Sequence, residues 1–489
     1  MTDQRRINII GGGLAGPEAA LQAASLGCEV SLYEMRPTRS TEAHQTADFA
    51  ELVCSNSLKS ESENTAPWLL KQEMRRAGSI LLTEADASAV PAGHALAVDR
   101  VEFSRRVADR IAAEPRITVH REEVTTLDPD DPSFTAPATI TILATGPLTS
   151  PALAAELQRL TGSNHLAFYD SISPIVDATT IDMSKVYFAA RYDKGTADYI
   201  NCPFTKEEYD AFLDALTTAE AVPAKSWEAI PGALSSRSAA EGSASLQPSQ
   251  PIHYFEGCLP IEETARRGRD TLRFGPMKPV GLTDPKTGRW PYAVVQLRQE
   301  NLRADSYNLV GFQNHLKFGE QARVLRLIPG LENATFLRYG QIHRNTYINA
   351  PTLLTETLQL RAHPSIMIAG QLSGVEGYTE SIASGLLAGR YAASLARGVQ
   401  PMPAPRESAN GSLTHYITHA ESRRFQPANI TFDLLPPLEE DLRRRIRDKK
   451  ERHKIQCDRA LAAWDAWLSA SAQNPVQIEA PAVLSSHLP

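Results

Sequence analysis

Cysteine is scarce in this chain. The 489 residues hold five, at positions 28, 54, 202, 258 and 457, with no C-x-x-C pair among them. An odd, scattered set builds neither a disulfide framework nor a zinc knuckle, so the pattern predicts reduced thiols. Long hydrophobic runs are also missing. No stretch approaches the roughly eighteen consecutive apolar residues of a spanning helix. The opening MTDQRRINII has neither an apolar core segment nor a small-residue cleavage site. These absences predict a cytoplasmic protein without a membrane partner. Positive charge is not in excess, since 50 Lys and Arg stand against 57 Asp and Glu for a net charge of -7. Any nucleic-acid contact must therefore come from local patches. What remains is ordinary: 42% hydrophobic and 22% charged residues, in a chain long enough for two or three domains.

One stretch organises the rest. Arg6 to Ile10 is a short apolar run that predicts a buried strand, and Gly11-Gly12-Gly13-Leu14-Ala15-Gly16 follows with glycines at the spacing G-x-G-x-x-G. A helix with Pro17 in its first turn runs on to Ala24, Gly27 ends it, and residues 29–34 form the next strand. Gly11 allows the tight turn, Gly13 lets the backbone approach a pyrophosphate, and Gly16 permits close helix–strand packing. The helix N-terminus offers unpaired N–H groups to phosphate. Glu34, about twenty residues on, is placed to accept hydrogen bonds from a ribose. The unit predicts dinucleotide binding.

Two later strands complete that reading. Ile140 to Leu143 ends in Ala144-Thr145-Gly146, and residues 365–370 run into Gln371, Gly374, Gly377 and Tyr378 before a small-residue helix over 381–393. Flavoproteins with two dinucleotide folds use this three-part arrangement, with an acidic residue usual where Gln371 stands. No second G-x-G-x-x-G occurs, which predicts FAD as the resident nucleotide and any NAD(P)H as a visitor. Helical spacing also appears over Trp68–Leu82 and Asp99–Val107, followed by a short strand at 117–119. The long polar segment at 36–66 exceeds what a connection needs and is expected to be functional. The fold class expected is α/β: a glutathione-reductase-like, Rossmann-type FAD-binding domain from residues 1–150 and 335–405, with an inserted α+β domain at 151–334.

Within the insert, Thr205 and Glu208 form a capping box for a helix through Leu216. Residues 222–251, rich in Pro, Ala and Ser, are expected to be a mobile loop. Cys258 follows, between Gly257 and a Leu-Pro turn. Beyond it Arg266, Arg267, Arg269, Arg273 and Lys278 have few acids between them, as does the run Arg443–Lys454, with eight Lys or Arg against two acids. Both are candidate phosphate-contacting surfaces. Residues 406–470 are expected to form a C-terminal helical segment and 471–489 a disordered tail.

Taken together, GGGLAGPEAA, ELVCSNSLKS, FEGCLPIEE, FGPMKPVGL, QIHRNTYIN and AGQLSGVEGY resemble the folate- and FAD-dependent tRNA (uracil-5-)-methyltransferase family, TrmFO. The motifs run from residue 7 to about 400, and the loop at 222–251 is longer than the family usually carries. The resemblance implies transfer of a methylene from 5,10-methylenetetrahydrofolate to C5 of the T-loop uridine of tRNA, with reduced FAD and NAD(P)H as the source of electrons. It implies Cys258 as the nucleophile at uracil C6 and Cys54 as the base that takes the C5 proton. It needs no metal. His343, Arg344, Asn345 and Tyr347 are candidates for the folate face. The basic residues Arg266, Arg267, Arg269 and Lys278 are candidates for tRNA phosphates. Cys28 and Cys457 are expected to be structural, and Cys202 stays open. Two rival readings remain: a related flavoprotein that modifies the wobble uridine, and a non-catalytic flavin-containing RNA-binding protein.

Overall fold

The computed structural model describes residues 6–41, 43–127, 140–162, 166–193, 195–222 and 259–473, with the backbone alone for 166–171, 342–344 and 472–473. Cys258, residues 223–251 of the expected loop and 474–489 of the expected tail lie outside the described residues.

The strand Arg6–Ile10 lies at the centre of a five-stranded parallel sheet. The order is Ile366–Ile368, Ile140–Leu143, Arg6–Ile10, Glu29–Tyr33 and Ile117–His120. Ile7, Ile9 and Ile10 are buried, and so is Asn8, because a parallel strand covered on both faces has no solvent side. The first helix spans Ala15–Ser25, two residues longer at its start than the expected Pro17. Glu18 on this helix is wholly buried, and its Oε2 accepts the Leu81 N–H at 2.9 Å. Burial pushes its carboxyl up to about 7, against the opposing pull of the Leu81 and Gln22 hydrogen bonds.

The helix Tyr378–Ala396 packs against Ala15–Ser25. A Cβ at Gly385 or Gly389 would overlap the backbone of Ala15 or Ala19, so the small-residue stripe is what lets the two helices touch. The helical spacing over Trp68–Leu82 resolves into two helices, Ala66–Arg76 and Ile80–Ala87. Gly78 breaks them apart with φ +76°, and Ser79 caps the second by accepting the Leu82 N–H at 3.3 Å.

A second core surrounds a six-stranded antiparallel sheet ordered Tyr187–Ala189, Tyr199–Phe204, Ala293–Gln299, Ser306–Leu309, Ile175–Asp177 and Phe336–Arg338. The capping box of helix Lys206–Thr218 forms as expected, with Thr205 N–H on Glu208 at 2.8 Å and Glu208 N–H on Thr205 at 3.2 Å. Leu153 and Leu157 of helix Pro151–Thr161 pack into the first core, so the change of core falls after this helix and not at residue 151. The C-terminal helices also pack there through Leu413, Cys457, Trp464 and Trp467, and the Trp464 indole donates to Glu73 O at 2.7 Å. The fold class is α/β, a Rossmann-type parallel sheet carrying an inserted α+β domain. Among the described residues no helix is long and apolar enough to cross a membrane.

Candidate active site

A cleft opens at the C-terminal edge of the parallel sheet, where α/β proteins bind ligands. Its wall includes Gly11, Gly12, Gly13, Leu14, Ala15, Glu34, Gly146, Gln371 and Tyr378. Gly11 turns the chain with φ +117°. Gly16 sits behind it, where a Cβ would overlap the Gly11 carbonyl oxygen. Leu14 stands at the helix N-cap and offers no side-chain cap, which leaves the first N–H groups for an anion. A Cβ on Gly13 would meet nothing within 4 Å, so the backbone there faces open space. These features fit a pyrophosphate.

Glu34 does more than face a ribose. Its Oε2 accepts the Gly12 N–H at 2.7 Å, and its Oε1 accepts Arg36 N and Nε at 2.9 and 2.8 Å. Burial alone would raise its pKa, but the hydrogen bonds and charge of Arg36, with the Gly12 amide, hold the carboxyl below its ordinary value. The carboxylate therefore fixes the glycine turn and keeps lone pairs for a hydroxyl. Arg36 also pairs with Glu51 at 3.1 Å. His44, on the same wall, is lowered to about 4 by burial and by Arg36, which makes it a neutral imidazole near pH 7.

The glycines of the late segment part company with the expectation. Gly374 and Gly377 do not line the cleft. A Cβ at Gly374 would strike the Phe425 ring, and one at Gly377 would crowd Glu380 and Lys59, so both serve packing and the turn into the helix. Gln371 does line it and donates to Glu376 Oε2 at 2.6 Å. Glu376, five residues further along, is bound to this amide and does not itself line the cleft.

Cys54 sits beside the cleft residue Val53 on a loop tied down from both domains. Tyr378 Oη accepts the N–H groups of Cys54 and Ser55 at 2.7 and 3.1 Å. Arg100 donates to Leu52 O at 2.7 Å and to Cys54 O at 3.4 Å, and its Nε meets Glu300 of the inserted domain at 2.6 Å. Arg298, also from the insert, reaches Ser55 Oγ at 2.8 Å and Asn56 Oδ1 at 2.9 Å. Arg100 and Arg338 both lie within electrostatic reach of the Cys54 sulfur. Burial, the Cys54 thiol adding to it, pushes the Tyr378 phenol well above its ordinary value, so it stays neutral.

This clamp carries a stability prediction. Arg100→Ala would leave the Glu300 carboxylate, only 5% exposed, without its cation. Removing one partner of a buried pair costs about 3–5 kcal/mol. Chemical denaturation of the variant should show a loss near 3 kcal/mol; a loss under about 1 kcal/mol would mean the loop is held by Tyr378 and Arg298 alone.

The other expected site residues divide. The backbone pairs His343 with Asp170 and Arg344 with Tyr169, in a two-stranded ladder of Ile342–Tyr347 with Leu166–Ser171. Asn345 and Tyr347, expected to face folate, are core residues instead, 1% and 5% exposed, and the Tyr347 ring packs edge-on against Phe425. Their alternation along the strand turns them inward. Arg266, Arg267, Arg269 and Lys278 are exposed as a phosphate surface requires. Acids meet some of them, however, both near and distant in sequence. Arg269 bridges Asp210 at 3.0 Å and Asp214 at 2.7 Å, and Arg266 pairs with Glu263. Such exposed pairs are weak and exchange readily for phosphate. Cys202 lies fully buried on strand Tyr199–Phe204, its thiol driven far up by burial, and Cys457 is pushed up to about 12 for the same reason. Both are packing residues, as is Cys28. Arg36, His44 and Glu51 escaped notice as individuals, although the long segment 36–66 marked their neighbourhood. Arg100 and Arg298 had no local signal, because their partners lie some 200 residues away.

Sheet topology and cleft together define an α/β protein of the Rossmann-type FAD-binding class. The chain matches a family model described as glucose inhibited division protein A over residues 6–400. It is 66% identical over 466 residues to the methylenetetrahydrofolate–tRNA-(uracil-5-)-methyltransferase TrmFO of Koribacter versatilis, covering 95% of this chain and 98% of that protein. It is 60% identical to the TrmFO of Solibacter usitatus over 95% of this chain and 99% of that one, and 52% identical to that of Enterococcus faecalis over 94% and 97%. The chain belongs to the TrmFO family. Among solved structures, Aquifex aeolicus GidA shares the fold, with a TM-score of 0.67 at 16% identity over 97% of this chain and 75% of that one.

Proposed function

We propose that the chain methylates C5 of the T-loop uridine of tRNA, taking a methylene from 5,10-methylenetetrahydrofolate, in the cytoplasm. The observation that carries the reading is a thiol, Cys54, at the edge of a dinucleotide cleft on a loop that groups from both domains hold. Gly11 to Ala15 would hold the pyrophosphate of FAD and Glu34 its ribose, with Gly146, Gln371 and Tyr378 along the remaining wall. When bound, FAD supplies the electrons that reduce the methylene to a methyl group, NAD(P)H being the ultimate donor.

The chain's own residues handle the uracil. C5 is a poor nucleophile until a group adds to C6, and a thiolate is the side chain best suited to that addition. Cys258 takes this role, by its place in the FEGCLPIEE segment of the family. The C5 proton then leaves to Cys54. The T-loop uridine must be unstacked to reach either sulfur, so tRNA is bound through shape and phosphate. Arg266, Arg267, Arg269 and Lys278 supply an exposed basic surface for it on the inserted domain. His343 and Arg344 remain candidates for folate.

T-loop RNA carrying 5-fluorouridine tests the reading, because fluorine at C5 cannot leave as a proton would and the C6 thioether persists. A covalent protein–RNA adduct is expected with the wild-type chain and none with Cys258→Ala. RNA bound without any adduct would leave a flavin-containing binding protein as the better description.

A further inference from the structure

Away from the cleft, two histidines and a glutamate converge with the geometry of metal ligands. His415 and His419 stand four residues apart on helix Ala409–His419, so they share a face. Their rings stack at 4.2 Å between centroids, 14° from parallel. Glu356 approaches from another element, its Oε1 3.3 Å from His415 Nδ1 and 3.7 Å from His419 Nδ1. All three donor atoms lie within 4.8 Å of one another. In a tetrahedral zinc site, bonds of about 2.0–2.2 Å place neighbouring donors about 3.3–3.6 Å apart. Both histidine-to-glutamate distances fall at or just outside that spacing.

The two supports are rigid. Leu354 and Leu358, on either side of Glu356, are fully buried, and Leu354 bridges Leu360 while Gln359 bridges Met367 of the sheet's edge strand. The helix start is held by Glu73, which accepts the N–H groups of Ala409 and Asn410 at 2.6 and 2.9 Å. Arg406 feels Glu356 electrostatically but donates to Ser412 Oγ at 2.7 Å. Thr418 Oγ1 lies 2.9 Å from His419 Nδ1 and the His415 carbonyl 3.3 Å from it; a metal would displace these contacts.

We propose that Glu356, His415 and His419 form a site for a divalent transition metal of the zinc type. Two imidazoles and a carboxylate suit Zn²⁺, Co²⁺ or Ni²⁺ and leave a fourth, solvent-facing position for water. The half-exposed ligands allow entry. The ion would fasten helix Ala409–His419 to the 354–360 turn, and through it to the edge of the nucleotide-binding sheet. It takes no part in uracil chemistry. No local spacing marks such a site, because Glu356 lies 59 residues before His415.

Calorimetric titration of the chelator-stripped full chain with Zn²⁺ tests this. Wild type should bind one equivalent and melt at a higher temperature with zinc than without. His415→Ala, His419→Ala and Glu356→Gln should each weaken binding about tenfold or more and abolish the melting shift. His94→Ala, at an exposed histidine elsewhere, should do neither. A wild-type chain that takes up no zinc overturns the proposal, as does stoichiometric binding that survives all three substitutions, the result expected if a cysteine thiolate were the ligand.

Discussion

Replacing Cys54 by serine should slow methyl transfer to tRNA by a factor of about 10²–10⁴, the usual worth of a positioned general base, while FAD stays bound. The loop around residue 54 is fixed by its backbone, through Tyr378 on the amides and Arg100 on the carbonyls, and none of those contacts involves the sulfur. A serine therefore occupies the same place. Its hydroxyl, with a pKa far above that of a thiol, does not supply the anion. The defect should be confined to removal of the C5 proton. Release of tritium from 5-tritiated T-loop uridine should fall with methylation, whereas the Cys258 adduct with 5-fluorouridine should still form. Unchanged tritium release in the Cys54→Ser protein would assign the base elsewhere, and a colourless variant would show that residue 54 shapes the cleft.

The glycine turn carries the second large effect. Gly16→Ala places a methyl group onto the Gly11 carbonyl oxygen, a backbone atom that cannot swing aside. Overpacking of this kind costs about 1–3 kcal/mol and more where only backbone can yield. The first turn of helix Ala15–Ser25 must shift, and with it every N–H group that faces the cleft. The purified variant should lose its flavin colour and melt below wild type. Gly13→Ala makes the opposite case. A Cβ there meets nothing within 4 Å, so the apoprotein should be as stable as wild type while FAD is excluded by a methyl group in the space of the pyrophosphate. Equal flavin content in both variants and wild type would remove the nucleotide from this turn.

Much of this was legible in order along the chain because the signals are local. Three isoleucines between Arg6 and Gly11, a glycine spacing and an acid at 34 depend only on contacts within one βαβ unit. The Ala-Thr-Gly strand and the late strand likewise declared themselves by their apolar runs, and the capping box by a three-residue spacing. Where the reading strayed, the deciding contact was distant. Tyr347 and Asn345 look like ligand residues until the alternation of a strand turns them into the core. Arg269 reads as a free cation until helix Lys206–Thr218 delivers two aspartates to it.

The sequence alone therefore determined the nucleotide-binding class and the parallel sheet, since both rest on the intrinsic geometry of short peptides, whereas Cys54 and Cys258 stand out only through the resemblance of their segments to the TrmFO family. Tertiary structure decided how Cys54 is held and what surrounds it. Arg100, Tyr378 and the pair Arg298 and Glu300 come from three separate parts of the chain, and no spacing along a chain encodes charges that meet only after two domains have packed.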